Sequence, residues 1–429
     1  MSMTIIMLVC FFILILLSVP IGWALGISSI AALLLSGEPF HIVLLASRLY
    51  NSTNSFVLMS LPFFILAGNI MSRGGLSKRL IQLCKTIIGP VHGGLGMVGI
   101  LAAFFFSAIS GSNAATTAAV GGMMIPELEK QGYPKDLSTA TVAAAGTTGM
   151  VIPPSSAMVV FSATASVSLP ALFMGGIIPG VLMSGSMMLM VYLLSRRLKI
   201  QRSPRGNSSE IARSFLNAIG ALLMPVIILG GIYSGVFTAT EAAVVACVYS
   251  IIITVFVNRE LKWKELPRIF WESAITSAVG MVVITCAAMF SYVITKEHMP
   301  EQLMTVFLNW TDNPVLLMLL INIVLLIAGC FVTPNCAIVI LTPIVLPICR
   351  SFGINPVALG ILMVVNLSIG AITPPVGGCV FVAASIANSS VESIFKRVMP
   401  YLTILLMDLL LLNLFDELTL FLPRIMGLM

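Results

Sequence analysis

The sequence predicts an all-α polytopic membrane protein with about eleven transmembrane helices plus two re-entrant helical hairpins, organised as two repeats. Three observations carry this expectation. First, 22 Lys and Arg with 16 Asp and Glu leave 429 residues only 9% charged against 59% hydrophobic, with a mean hydropathy of +1.09. A soluble domain carries roughly 25% charge, so too little polar surface exists to cover a water-soluble particle. Cytosolic enzymes, disordered tails and secreted disulfide scaffolds are excluded. Second, apolar stretches follow one another with short breaks, and at about 20 residues per span the chain holds on the order of a dozen membrane-embedded elements. Third, one pair of polar elements occurs twice.

In chain order, Met1 to Leu35 contains no Lys or Arg, unlike a signal peptide, and reads as a retained membrane helix kinked near Pro20. Charged breaks at 73–85, 127–136, 259–268, 296–301 and 392–397 are too short for a soluble domain. The longest break carries Arg196, Arg197, Lys199, Arg202, Arg205 and Arg213 against the single acid Glu210, which marks a cytoplasmic loop by the positive-inside rule. It divides the chain into a first repeat, 1–195, with a hairpin near 105–128, a basic cytoplasmic linker, 196–214, and a second repeat, 215–429, with a hairpin near 328–349. The net charge of +6 lies in these short runs, where it sets membrane orientation; no nucleic-acid partner is expected. Eight cysteines without a CxxC pair and three scattered histidines read as buried apolar groups and isolated residues.

The duplicated elements carry the chemistry. In the first half, Ser112-Asn113 is followed by Pro126 and then by Gly149-Met-Val-Ile-Pro153-Pro154-Ser155-Ser156. In the second, Thr333-Pro334-Asn335 is followed by Pro347 and then by Gly370-Ala-Ile-Thr373-Pro374-Pro375. Asn113 precedes Gly149 by 36 residues and Asn335 precedes Gly370 by 35. Each Asn-bearing segment is too short for two full spans, which points to a hairpin that enters the membrane and returns, a form tolerated only when buried in protein or beside water. Each Pro pair removes two N–H donors and breaks its helix. Freed carbonyls and hydroxyls at membrane depth can hold a hard cation such as Na⁺ without a carboxylate. Ser112, Asn113, Thr147 and Thr148 supply oxygens in one half; Thr333, Asn335, Ser368 and Thr373 supply them in the other.

The bland reading is that Pro and Gly only kink helices while Ser, Thr and Asn bond to neighbouring backbone. It accounts for one element better than for two at matched spacing. Elsewhere, Glu241 reads first as a helix cap and second as a coupling acid. Asp408, inside a Leu-rich run, must face a bundle interior, water or a partner subunit. Gly93, Gly94, Gly96 and Gly99 fit helix packing, since no Gly-Lys-Ser/Thr phosphate loop follows.

Ser60-Leu-Pro-Phe-Phe-Ile-Leu-Ala-Gly-Asn69, Ser110-Gly-Ser-Asn-Ala-Ala-Thr116, Gly149 to Ser155, Phe237-Thr-Ala-Thr-Glu-Ala242 and Ile372-Thr-Pro-Pro-Val-Gly377 together resemble the large membrane subunit of tripartite ATP-independent periplasmic (TRAP) transporters. The resemblance runs over essentially the whole chain. It implies inverted repeats, an elevator-type division into scaffold and transport domains, and a bacterial inner-membrane location. It also implies two protein partners, a small four-helix membrane subunit and a periplasmic substrate-binding protein, besides membrane lipid. Residue by residue, it implies one Na⁺ site from Ser112 and Asn113 with carbonyls of Gly149, Ile152 and Pro154. A pseudo-symmetric site would use Thr333 with Gly370, Thr373 and Pro375. An organic acid would lie near Thr147, Ser155, Ser156 and Asn335. Thr238-Ala-Thr-Glu241 departs from the Thr-Pro-Thr-Glu of many relatives, which would alter a scaffold turn.

The expected function is therefore Na⁺-coupled import of a small organic acid of sialic acid, C4-dicarboxylate or keto-sugar acid type, with Na⁺ as coupling ion and no cofactor. The alternative is a self-sufficient Na⁺-coupled carboxylate transporter that needs no binding protein. A passive channel would show uncoupled flux. An intramembrane hydrolase lacks its nucleophile and base, so no enzyme is expected.

Overall fold

The computed structural model describes residues 3–35, 42–198, 200 and 208–429; within the basic linker 196–214, residues 199 and 201–207 lie outside the described residues. The first half comprises α1 (Met3–Leu16), α2 (Ile21–Leu35), α3 (Ile42–Thr53), α4 (Ser60–Arg73), α5 (Leu76–Ile88), α6 (Gly94–Ser110), α7 (Asn113–Lys130), α8 (Lys135–Ala145), α9 (Ser156–Ala165) and α10 (Leu169–Arg197). The second comprises α11 (Ser208–Tyr233), α12 (Ala239–Ile251), α13 (Leu266–Lys296), α14 (Met299–Trp310), α15 (Pro314–Phe331), α16 (Pro334–Ser351), α17 (Pro356–Gly370), α18 (Gly378–Ala387), α19 (Val391–Leu414) and α20 (Glu417–Ile425). Among the described residues no strand occurs. Seven helices there are long and apolar enough to cross a membrane. Several other apolar helices have only 10–17 residues, because turns and breaks divide them.

One order of elements occurs in both halves: a helical hairpin, an interrupted helix, then a long helix. The hairpins are α6–α7 and α15–α16; the interrupted helices are α8–α9 and α17–α18. The halves interlock, since α7 packs on α18 and α16 packs on α9. The interrupted helices form the centre. Every residue from Leu137 to Ala145 and from Val357 to Gly370 is buried, the pattern of helices covered on all sides. There Gly329 and Gly370 bring α15 and α17 into backbone contact; a Cβ on Gly370 would lie 2.6 Å from the Gly329 Cα.

The N-terminus departs from the kinked helix expected at Pro20. The chain reverses there, with Ser18 at φ 61°, and α1 and α2 pack side by side, bringing the Ser29 hydroxyl 3.9 Å from Met7 Sδ. Pro20 lacks an N–H, and its carbonyl accepts from Ala24 N at 3.0 Å, so it opens α2 rather than bending one long helix. α2 then lies along α13, with Gly22 and Gly26 facing Val283 and Cys286, a small-xxx-small packing.

α12 continues into a π-helical turn, Ile252–Val257. Within it the Thr254 carbonyl accepts from Glu260 N at 3.1 Å, while its side chain lies against Gly74 between α4 and α5. Glu260 then meets Arg79 of α5 at 2.6 Å, and Glu272 of α13 meets Arg73 of α4. Exposed Phe256, Trp263 and Trp271 lie close in sequence to these pairs, as in an interfacial aromatic belt.

Replacing Gly370 by Ala should destabilise the protein by about 1–3 kcal/mol, the cost of overpacking a close contact. Gly122→Ala, where nothing lies within 4 Å, is the control. Thermal unfolding in detergent decides, and equal midpoints would count against the helix contact.

Candidate functional site

The first hairpin turns at Gly111 and Ser112. Gly111 has φ 59°, and a Cβ there would lie 2.7 Å from the Pro154 carbonyl oxygen, so the turn requires glycine. Three hydrogen bonds fasten this tip to the break between α8 and α9. Asn113 Oδ1 accepts from Met150 N at 2.8 Å, and the Gly111 carbonyl accepts from Ser156 Oγ at 2.8 Å and from Ser156 N at 3.2 Å. Gly149 closes the contact, since a Cβ there would lie 2.5 Å from the Ser112 carbonyl oxygen. Ser112, Asn113, Gly149 and Pro154 are thus brought together. The Ile152 side chain faces Gly180 of α10. Among the described residues the carbonyls of Ile152 and Pro154 accept no hydrogen bond, and Asn113, only 3% exposed, has an Nδ2 without a partner.

Thr147 and Ser155 turn elsewhere. Thr147 Oγ1 donates to the Ala144 carbonyl at 2.7 Å. Ser155 Oγ donates to the Met150 carbonyl and accepts from Met158 N at 3.2 Å, capping α9.

The second half is built more loosely. Thr333 is exposed and its Oγ1 donates to Cys336 Sγ at 3.0 Å. Thr373 Oγ1 donates to the Ile369 carbonyl at 2.9 Å, and the Gly370 carbonyl accepts from Thr373 N at 3.0 Å. Pro375 is exposed. Among the described residues no hydrogen bond joins the 332–335 tip to the 371–377 break. The Asn335 Oδ1 and Ser368 Oγ atoms are buried without partners.

Both tips open on one cavity of about 370 Å³. Ser112 and Asn113 line it from one half, Thr333 and Asn335 from the other, and Thr276 and Gly280 of α13 from the side. Thr147, Ser155 and Ser156 are not among its lining residues. Among the described residues none of the lining groups is charged. A neutral oxygen-bearing cavity can bind a cation and an anion together, each supplying the charge the other lacks. Sequence reasoning missed Thr276, Gly280, Cys336 and Cys379 as lining residues, because none belongs to the duplicated oxygen-bearing pattern.

Two acids take structural places. Glu241 closes a capping box, with Oε2 accepting from Thr238 N and Thr238 Oγ1, both at 2.8 Å, and Ala239 is the first residue of the helix it caps. Asp408, 4% exposed, faces the bundle interior and accepts from Ser186 Oγ of α10. Gly93 and Gly96 pack closely on Ser195 and Val191 of α10.

Residues 8–418 match the family described as "Tripartite ATP-independent periplasmic transporter, DctM component". The chain belongs to this DctM family. It is 39% identical over 404 residues to the C4-dicarboxylate TRAP transporter large permease protein DctM of Pseudomonas aeruginosa, covering 94% of each chain. It is 42% identical over 400 residues to the isethionate TRAP transporter permease protein DctMQ of Oleidesulfovibrio alaskensis, covering 91% of this chain and 62% of that one. It is 34% identical to the sialic acid TRAP transporter permease protein SiaT of Haemophilus influenzae, covering 96% of this chain and 66% of that one. Among solved structures, the YdaH transporter of Alcanivorax borkumensis shares the fold, with TM-score 0.65, 16% identity and 87% of each chain covered. The TRAP resemblance read from the motifs is borne out. This DctM-family protein is a multi-pass transporter permease and not an enzyme.

The tip-to-break bonds yield a local prediction. Ser156→Ala should cost about 1 kcal/mol, the usual worth of one hydrogen bond, and speed amide hydrogen exchange in both 107–117 and 147–158. Faster exchange in one segment alone, or in neither, would show that Ser156 does not couple them.

Proposed function

We propose that this protein carries out Na⁺-coupled secondary import of a small organic acid across the bacterial inner membrane, receiving it from a periplasmic substrate-binding protein and working beside a small four-helix membrane subunit. The observation that carries the reading is the meeting of the two duplicated tips, Ser112–Asn113 and Thr333–Asn335, in one uncharged cavity. The names of the relatives support the substrate class: C4-dicarboxylate, isethionate and sialic acid are all organic acids. The DctMQ name of the isethionate permease supports a small membrane partner.

In this reading Ser112 and Asn113 with the carbonyls of Gly149, Ile152 and Pro154 hold one cation, and Thr333 with the Gly370, Thr373 and Pro375 segment holds the other. The bound cations lend charge to an anion near Asn335, so each ligand raises the affinity of the other. The hydrogen-bonded first tip has its geometry fixed before a cation arrives. The second must be ordered by its ligands, which makes it the half whose stability responds more to substrate. A cation moving down a 100 mV potential contributes about 2.3 kcal/mol, so two of them with one monoanion support uphill uptake. The two hairpins with their interrupted helices, α6–α9 and α15–α18, then move as a transport body against a scaffold containing α13.

Two outcomes check this in proteoliposomes holding the chain and its small subunit. Removing Na⁺ should abolish concentrative uptake, and Ser112→Ala with Asn113→Ala should raise the half-saturating Na⁺ concentration at least about tenfold, equivalent to one or two lost ligand bonds. An unchanged Na⁺ response would sink the cation assignment. Uptake that proceeds without the binding protein would favour the self-sufficient carrier.

A further inference from the structure

A second cavity, of about 400 Å³, lies between α3, α9, α13 and α16. It is unlike the central one. Arg48 of α3 lines it together with Asn51, Ser52, Ser291 and Thr342, and the Arg48 guanidinium lies over the Tyr292 ring, 5.2 Å from its centroid. A guanidinium held over an aromatic ring still has N–H donors for a planar or tetrahedral oxyanion. Among the described residues Arg48 has no carboxylate partner and is the one charged group lining this cavity.

Thr342 supplies an independent sign of a ligand. It is 0% exposed, yet its Oγ1 has no hydrogen-bond partner. A helical threonine ordinarily donates to the carbonyl a turn earlier, as Thr141 and Thr164 do here at 2.8 Å. A buried hydroxyl left unpaired is unfavourable, and this one lines the same cavity as Arg48.

The two cavities lie along one seam. Thr276, Gly280 and Ile284 of α13 line the central cavity, and Ile284, Ala288 and Ser291 line the second. On α16 the lining passes likewise from Asn335 and Cys336 to Val339, Thr342 and Leu346. Thr276 to Ser291 spans about 22 Å at 1.5 Å per residue. Ile284, 6% exposed, lines both cavities.

From these observations the structure assigns a second anion-binding site, in which Arg48 and Thr342 take the acid group of an organic anion at the far end of the α13–α16 seam from the hairpin tips. The assignment rests on the organic-acid reading of the central cavity but uses a protein cation where that cavity has none. Binding here therefore needs no Na⁺. The charged cavity captures the anion, and the uncharged one holds it when cations are present.

The test is calorimetric titration of succinate and of isethionate into the full chain with its small subunit in nanodiscs, in Na⁺-free buffer. Saturable binding is expected, weakened at least about tenfold by Arg48→Gln, as when one charge-assisted contact is lost. Thr342→Val should weaken it about threefold or more, the low end for an uncharged hydrogen bond. Arg48→Lys should keep part of the affinity, and thermal midpoints establish that each variant is folded. In uptake assays Arg48→Gln should raise the substrate KM while leaving the half-saturating Na⁺ concentration in place. Absence of Na⁺-free binding to the unmodified protein overturns the proposal, as does binding indifferent to Arg48→Gln and Thr342→Val. Failure of the coupling reading appears separately, as Na⁺-insensitive uptake, and the Na⁺-free titration still decides this site.

Discussion

In an apolar medium every backbone N–H and C=O must find a partner inside the protein, and this requirement bears hardest where a helix is broken. The break between α8 and α9 meets it by leaning on a hairpin tip. Asn113 Oδ1 takes the Met150 N–H, Ser156 binds the Gly111 carbonyl, and Gly149 and Gly111 let the two backbones close. The break is therefore braced by the tip. Interlocking of the halves has the same origin, since each hairpin's second arm covers an element of the other half, α7 on α18 and α16 on α9.

The helix that leads into the second break, α17, is held differently. Gly329 and Gly370 bring α15 against α17, and a chain of amides continues outward: Asn366 Nδ2 donates to Asn322 Oδ1 at 3.0 Å, and Asn322 Nδ2 donates to Asn413 Oδ1 at 3.2 Å. Polar groups here tie the helices to one another, while the 332–335 tip is left without a bond to the 371–377 break. Similar motifs thus serve one hydrogen-bonded junction and one that, among the described residues, has no such bond.

The all-helical class followed from 9% charged residues, and the paired Asn and Gly-x-x-x-Pro-Pro elements located both tips that line the central cavity. Helix breaks were legible because Pro and Gly act on their own backbone. Long-range partners were not. Ser156 carries no local mark of its bond to Gly111, 45 residues away, and Thr276 looks like any small residue in an apolar helix. Pro20 misled because a proline that opens a helix and one that bends it look alike until the turn before it, here Ser18 at φ 61° two residues upstream, is seen. Asp408 could be placed only once Ser186 was found opposite it.

The π-helical turn at Ile252–Val257 also sets a phase. A π turn inserts one residue into the helical count, so everything after it is rotated by about 100° relative to an uninterrupted α-helix. Thr254, inside the turn, lies against Gly74, and the chain after the turn delivers Glu260 to Arg79. The end of α12 is therefore sensitive to length as well as to composition. Losing a single residue between 252 and 257 would turn the same side chains away from α4 and α5, even if each retained residue were unchanged.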